Sequence, residues 1–192
     1  MLDSLLALGM TPEAAQHHVE RWRLSYERMR PWLPLRVLEF LDIGCGYGGI
    51  AVQIARHYPG AGARANLLDG LGMRPKWGGY QPLGAPWMDV AVAGRLYEQH
   101  CPGRRFVVYG PDEDETMPCD FIYSICSWCH HYPVETYLGL VRRSLVSGGA
   151  LIVDLRLGDV GDHGRRVLAG YFDFVADIWM GRKYVRTAWK AR

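Results

Sequence analysis

Leu38-Glu39-Phe40-Leu41-Asp42-Ile43-Gly44-Cys45-Gly46-Tyr47-Gly48-Gly49, continued by Ile50-Ala51-Val52-Gln53-Ile54-Ala55-Arg56-His57-Tyr58, decides the fold. An apolar run ends at an acid, passes four glycines in six residues, and enters a segment with apolar residues at Ile50, Ile54 and Tyr58. The pattern predicts a strand, a tight turn and a helix. Glycine serves where the backbone must take positive φ or approach a ligand closely, and a helix starting just beyond offers unpaired N–H groups and a positive dipole end. A polar or anionic small molecule is therefore expected against this turn. So dense a glycine cluster loses backbone entropy on folding, and a mere crossover turn supplies no contact to offset it.

Two nucleotide-cofactor fingerprints are compatible with this spelling. Gly44, Gly46 and Gly49 fit the G-x-G-x-x-G pattern of dinucleotide-binding folds, a weak signal when it stands alone. Asp42-Ile43-Gly44-Cys45-Gly46-Tyr47-Gly48 more closely resembles the D-x-G-x-G-x-G loop of class I S-adenosylmethionine-dependent methyltransferases. In that family the acid closes the first strand and the glycines fold around the methionine part of the cofactor. The resemblance implies S-adenosyl-L-methionine as cofactor and a transferase activity.

At 192 residues the chain fits a single globular unit, with residues 1–34 as an N-terminal helical cap and 35–192 as the cofactor-binding domain. A composition of 49% hydrophobic and 22% charged residues with net charge +2 gives no strong push toward nucleic acid or membrane. No apolar run approaches the ~20 residues of a membrane span, and no secretory leader is visible, so a cytoplasmic location is expected. Cys45, Cys101, Cys119, Cys126 and Cys129 are scattered and odd in number, which predicts reduced thiols rather than a disulfide framework.

Thr11 can cap a helix that starts at Pro12 and carries Val19, Trp22, Tyr26 and Met29 on one stripe, until Pro31 and Pro34 end it. Its outer face mixes Arg21, Arg23, Arg28 and Arg30 with Glu13, Glu20 and Glu27, which reads as solvated. Ala65 to Asp69 is a second strand ending in an acid. Asp69 falls near the ~20-residue offset from the glycine loop at which Rossmann-like folds place a carboxylate for ribose hydroxyls. Gly70 to Trp87 is rich in glycine, proline and aromatics, and a loop of that length reads as a substrate cover, with Trp77 and Tyr80 as candidate substrate contacts. A helix is expected over Met88–His100, and further strands over Arg104–Tyr109, Asp120–Ser124 and Leu151–Asp154. Between the last two, Pro133 opens a helix bearing Val134, Leu138, Val141 and Leu145.

The tail completes the pattern. Tyr171–Trp179 and Arg182–Lys190 are β-rich and flank Met180-Gly181, which reads as a hairpin. Alternating strands and helices argue for a parallel sheet. The expected fold is thus α/β: a three-layer Rossmann-like sandwich with a mostly parallel seven-stranded sheet and a C-terminal antiparallel hairpin, as in the class I family. The resemblance, spanning about residues 35–190, implies cofactor contacts from Asp42, Gly44, Cys45, Gly46, Gly48, Asp69, Asp112 and Ser124.

Cys126-Ser127-Trp128-Cys129-His130 spells C-x-x-C-H, the haem-attachment motif, but here it follows a buried strand in a chain with no visible export signal. Zinc accepts all of Cys126, Cys129, His130 and His131, yet a second ligand pair at useful spacing is missing, so no metal is expected. Methyl transfer from a sulfonium is an in-line displacement, and the enzyme mainly aligns donor and acceptor and removes a proton. In the class I family the loop after the fourth strand faces the transferred methyl. That position makes His130 or His131 the catalytic candidate, with Trp128 and Tyr132 as walls. The nucleobase-methylating tetrapeptide is absent, which favours a small polar acceptor methylated at oxygen or nitrogen. Arg182, Arg186 and Lys190 share one face of the last strand and leave open a nucleic-acid-directed enzyme. A cofactor-binding accessory subunit without turnover is the third possibility.

Overall fold

In the computed structural model, residues 1–59, 62–70, 89–111 and 117–192 are described. Two helices come first, α1 (Leu2–Ala7), which no sequence signal announced, and α2 (Pro12–Met29). The Thr11 side chain accepts the Ala14 N–H at 3.3 Å, so α2 starts where the cap and Pro12 place it. Trp22 and Met29 are buried and Val19 and Tyr26 half-buried, which makes the expected stripe the inward face of α2.

The remaining elements alternate as the hydrophobic pattern predicts. They are β1 (Glu39–Ile43), α3 (Gly49–His57), β2 (Arg64–Leu68), α4 (Val90–His100), β3 (Phe106–Tyr109), β4 (Cys119–Ser124), β5 (Ser127–Tyr132), α5 (Glu135–Ser144), β6 (Leu145–Arg156), α6 (Asp159–Ala169), β7 (Phe172–Met180) and β8 (Tyr184–Ala191). Seven of these strands form one sheet in the order β3-β2-β1-β4-β6-β8-β7. Pairing is parallel from β3 to β6, while β8 runs antiparallel to both β6 and β7. The terminal hairpin and the mostly parallel sheet therefore stand as expected.

Strand alternation sorts the core into two layers. Leu41, Ile43, Ile122, Leu151 and Val153 pack with Tyr137, Leu140, Val141 and Leu168, which belong to α5 and α6. Phe40, Ala65, Leu67, Phe121 and Tyr123 pack on the other face with α3, α4 and Met29 of α2. Burying both faces is what a parallel sheet requires, and it leaves ligands the edge where the strands end.

Three details differ from the sequence reading. Ser127–Tyr132 is extended, not looped, yet lies outside the seven-stranded sheet. It is set off by left-handed φ values at Cys126 (53°) and Cys129 (64°), a conformation that non-glycine residues adopt at a cost in strain. Helix α5 buries Tyr137, Leu140, Val141 and Ser144, and Leu145, expected on its stripe, instead opens β6. Arg186, expected on an exposed cationic face, is fully buried.

Candidate functional site

The glycine turn is held from below. The N–H groups of Gly44 and Cys45 both donate to the Leu68 carbonyl, at 2.8 and 3.1 Å, tying the end of β1 to the end of β2. Gly44 has φ +74°, and a Cβ there would stand 1.9 Å from Ser127 Oγ, so only glycine fits. Gly46, also left-handed at +57°, is different: a Cβ would meet nothing within 4 Å, because the residue faces a cavity. Gly48 completes the turn as the residue preceding α3. The loop backbone is thus pressed against protein on one side and left bare on the other.

That cavity has a volume of about 510 Å³. Its floor is Asp42, Gly44, Cys45, Gly46 and Asp69, and one wall is Cys126, Ser127, His130, His131 and Tyr132. Helix α2 contributes His18, Arg21, Trp22 and Ser25, and the turn of the β7–β8 hairpin contributes Arg182, Lys183 and Tyr184. α2 is fixed there at several points. Trp22 lies directly on Gly49, Tyr26 Oη is 2.9 Å from His57 Nδ1 of α3, and the Arg28 guanidinium stands 3.8 Å from the Trp179 ring centre. Arg23, by contrast, does lie on the exposed face, paired with Glu20 and Glu27 as the sequence suggested.

Two acids sit at the floor. Asp69 is 5% exposed and accepts from the Gly46 N–H at Oδ2 and the Gly70 N–H at Oδ1, both at 2.8 Å. A carboxylate has about four acceptor sites, so ribose hydroxyls could still bond to it. Asp42 is 2% exposed and accepts from Tyr123 Oη at 2.8 Å. Burial, partly opposed by that hydrogen bond and reinforced by the charge of Asp69, pushes its carboxyl up to about 8. The shift favours the protonated form, in which the group can donate a hydrogen bond. Cys45 is buried, and that burial raises its thiol well above the usual range, so it is a wall and not a nucleophile.

His130 is 6% exposed, and its Nδ1 has no hydrogen-bond partner among the described residues. Its ring lies edge-on to His131 at 4.6 Å between centres and to Tyr184 at 5.2 Å. Burial first, then the positive charges of His131, Arg156, Lys183 and Arg21, holds the imidazole down at about 4. It is therefore neutral across the physiological range.

Several candidates sit elsewhere. Ser124 is fully buried, donating from Oγ to the Ile43 carbonyl at 2.8 Å and accepting from the Trp128 N–H at 2.9 Å. Trp128 is fully buried with its Nε1–H on the Val134 carbonyl. Both stand behind the wall, buried between the end of β4 and the start of α5. Asp112, Trp77 and Tyr80 lie outside the described residues. Arg186 forms a bidentate pair with Asp154 at 2.7 and 3.0 Å, both side chains fully buried, and donates on to the Ser25 carbonyl of α2. Asp154 also accepts from the Cys126 N–H at 3.0 Å. Arg186 is thus unavailable to phosphates. Cys129 is buried in the core, and no group of three or more metal-ligating side chains occurs among the described residues. No helix there is long and apolar enough to cross a membrane.

No protein-family model and no curated protein matches the sequence. Solved structures do match. Protein PH0226 of Pyrococcus horikoshii aligns with TM-score 0.61 at 17% identity, covering 89% of this chain and 91% of that one. An O-methyltransferase family 2 protein of Planctomyces limnophilus, in complex with apigenin, gives 0.60 at 17% identity over 87% of this chain and 57% of that one. Magnesium protoporphyrin IX methyltransferase of Synechocystis, with bound S-adenosylmethionine, gives 0.60 at 14% identity over 93% and 81%. The chain has the class I methyltransferase fold.

In this methyltransferase fold the cavity opens at the carboxyl ends of β1, β2 and β4, where open α/β sheets bind ligands. Sequence reasoning found the loop, the acids and the histidines there. It set Arg182 on a cationic strand face rather than at the cavity, and it missed Arg21, Trp22, Lys183 and Tyr184. Of these four, Arg21 and Trp22 carried a signal, the amphipathic pattern of α2, and it assigned Arg21 to solvent.

Proposed function

We propose that the chain is an S-adenosylmethionine-dependent methyltransferase acting at oxygen or nitrogen of a small polar acceptor. One observation carries the reading: a glycine turn with an open Cβ position at Gly46 shares one cavity with the largely buried imidazole of His130. The residues fit the cofactor. Gly44, Gly46 and Gly48 would take its methionine part, Asp69 would accept from ribose hydroxyls, and Asp42 would close the floor beneath them. When bound, S-adenosylmethionine supplies an electrophilic methyl group on a sulfonium.

His130 is the residue that orients the acceptor. A neutral ring lining the cavity would accept the acceptor's O–H or N–H at a ring nitrogen and direct the remaining lone pair along the transfer line. Trp22 and Tyr132 exclude water from the same space. A nucleic-acid acceptor finds less support, because the cationic strand face that suggested it is broken by the burial of Arg186.

Calorimetry with S-adenosylhomocysteine and NAD is the first test. Tighter binding of NAD would overturn the cofactor assignment. With an acceptor found by a screen using labelled S-adenosylmethionine, His130→Ala is expected to lower turnover by about 10²–10⁴-fold with little change in cofactor affinity. Full turnover in both His130→Ala and His131→Ala between pH 6 and 9 would remove the histidines from the mechanism.

A further inference from the structure

Three cations converge on the cavity that holds His130: Arg21 from α2, and Arg182 and Lys183 from the hairpin turn. They come from two elements far apart in sequence that pack against each other, α2 and the β7–β8 hairpin. No side-chain hydrogen bond or ion pair engages any of them among the described residues. The whole chain carries a net charge of only +2, so this concentration is local and not a by-product of a basic surface.

The acids nearby do not answer it. Asp42 is held by Tyr123 and Asp69 by two loop amides at the glycine end, while Asp154 is closed in its bidentate pair with Arg186. Like charges gathered in a cleft with low-dielectric walls raise the local concentration of opposite charge. Arginine adds a planar fork that matches carboxylate and phosphate oxygens.

We propose that the methyl acceptor bears a carboxylate or phosphate group, clamped by Arg21, Arg182 and Lys183, with its nucleophilic atom facing His130. The inference rests on the methyl-transfer reading above. An anion seated there satisfies the three cations and offsets the part of the depression at His130 that Lys183 and Arg21 contribute, so the ring's basicity rises when the acceptor is in place. It also brings negative charge toward the sulfonium. The enclosure of the site between α2 and the hairpin turn suits a small molecule.

The test uses the full chain saturated with S-adenosylhomocysteine, with inorganic phosphate and benzoate as probes at constant ionic strength. The His130 ring signals, assigned by their loss in His130→Ala, are followed by NMR. A saturable shift with either probe, accompanied by a rise in the apparent His130 pKa, is expected. Saturation by phosphate alone specifies a phosphate monoester, and by benzoate alone a carboxylate. Arg21→Ala and the double variant Arg182→Ala/Lys183→Ala should each weaken that binding about tenfold, the loss of a charge-assisted hydrogen bond. All three side chains are exposed, so the thermal midpoint should stay put.

Shifts that merely track chloride, or affinities untouched by both variants, would overturn the proposal while leaving S-adenosylhomocysteine binding intact. Failure of S-adenosylhomocysteine to bind would instead overturn the methyl-transfer reading and the inference with it. Displacement of the probe by an oligonucleotide, with affinity falling steeply with salt, would replace the small acceptor by a polymer.

Discussion

Gly49→Ala tests how the N-terminal helix is seated over the cofactor loop. At the first position of α3 an alanine is conformationally acceptable, and alone it would favour the helix by up to about 1 kcal/mol. The Trp22 indole prevents this, because a Cβ on residue 49 would lie 2.0 Å from its Cδ2 and within 2.4 Å of two further ring atoms. A rigid ring that is 8% exposed cannot yield at such distances, so α2 must shift, and overpacking of this kind costs about 1–3 kcal/mol. In a Trp22→Ala background the obstruction is gone, and the same substitution should be neutral or stabilising. The double-mutant cycle therefore predicts a coupling of about 2–4 kcal/mol between the two positions. Urea denaturation of the four proteins measures it, and calorimetry with S-adenosylhomocysteine should show weaker binding in Gly49→Ala, since Trp22 lines the cavity. Effects that add to within about 0.5 kcal/mol would refute the seating of Trp22 on Gly49.

Asp69→Ala removes the acceptor for two loop amides and the expected ribose partner, so S-adenosylhomocysteine affinity should fall about 10- to 100-fold; unchanged affinity by calorimetry would dismiss the role. Asp42 has a folded-state pKa of about 8, above its unfolded value, so its contribution to stability is complete below that unfolded value and declines as pH rises toward 8. His130 works in the opposite sense, its depressed value costing stability as pH falls below about 6.5. Urea midpoints taken between pH 6.5 and 8.5 should therefore decline in the parent and stay flat in Asp42→Asn; parallel slopes would exclude the assignment. Asp154→Ala strands the fully buried Arg186 and should cost about 3–5 kcal/mol, whereas Asp154→Leu/Arg186→Met should recover most of it; equal losses in both would show that the pair is not the cause.

The sequence by itself determined the sheet class and the glycine-loop end of the cavity. Those features are written locally: glycines where φ must be positive, an acid at the end of each of two strands, and a hydrophobic period switching between 2 and 3.6. Spacing placed Gly44, Gly46 and Asp69 around one turn, because a strand, a short glycine-rich reversal and a helix have fixed dimensions. It also placed His130 and His131 at the same sheet edge, since parallel strands all end there. Only the tertiary structure decided the opposite end of the cavity. Arg186 and Arg182 have similar local surroundings in the chain, yet one is buried against Asp154 and the Ser25 carbonyl, 161 residues away in sequence, and the other lies exposed at the cavity mouth. Alternation along β8 says which side chains share a face but not what covers that face. Trp128 is lost from the wall for a related reason: the left-handed turn at Cys126 resets which way the following residues point, and cysteine is not a residue type that announces positive φ. Arg21, Trp22 and the hairpin turn meet the glycine loop through long-range packing, and residue type and local spacing do not encode which distant surfaces will meet.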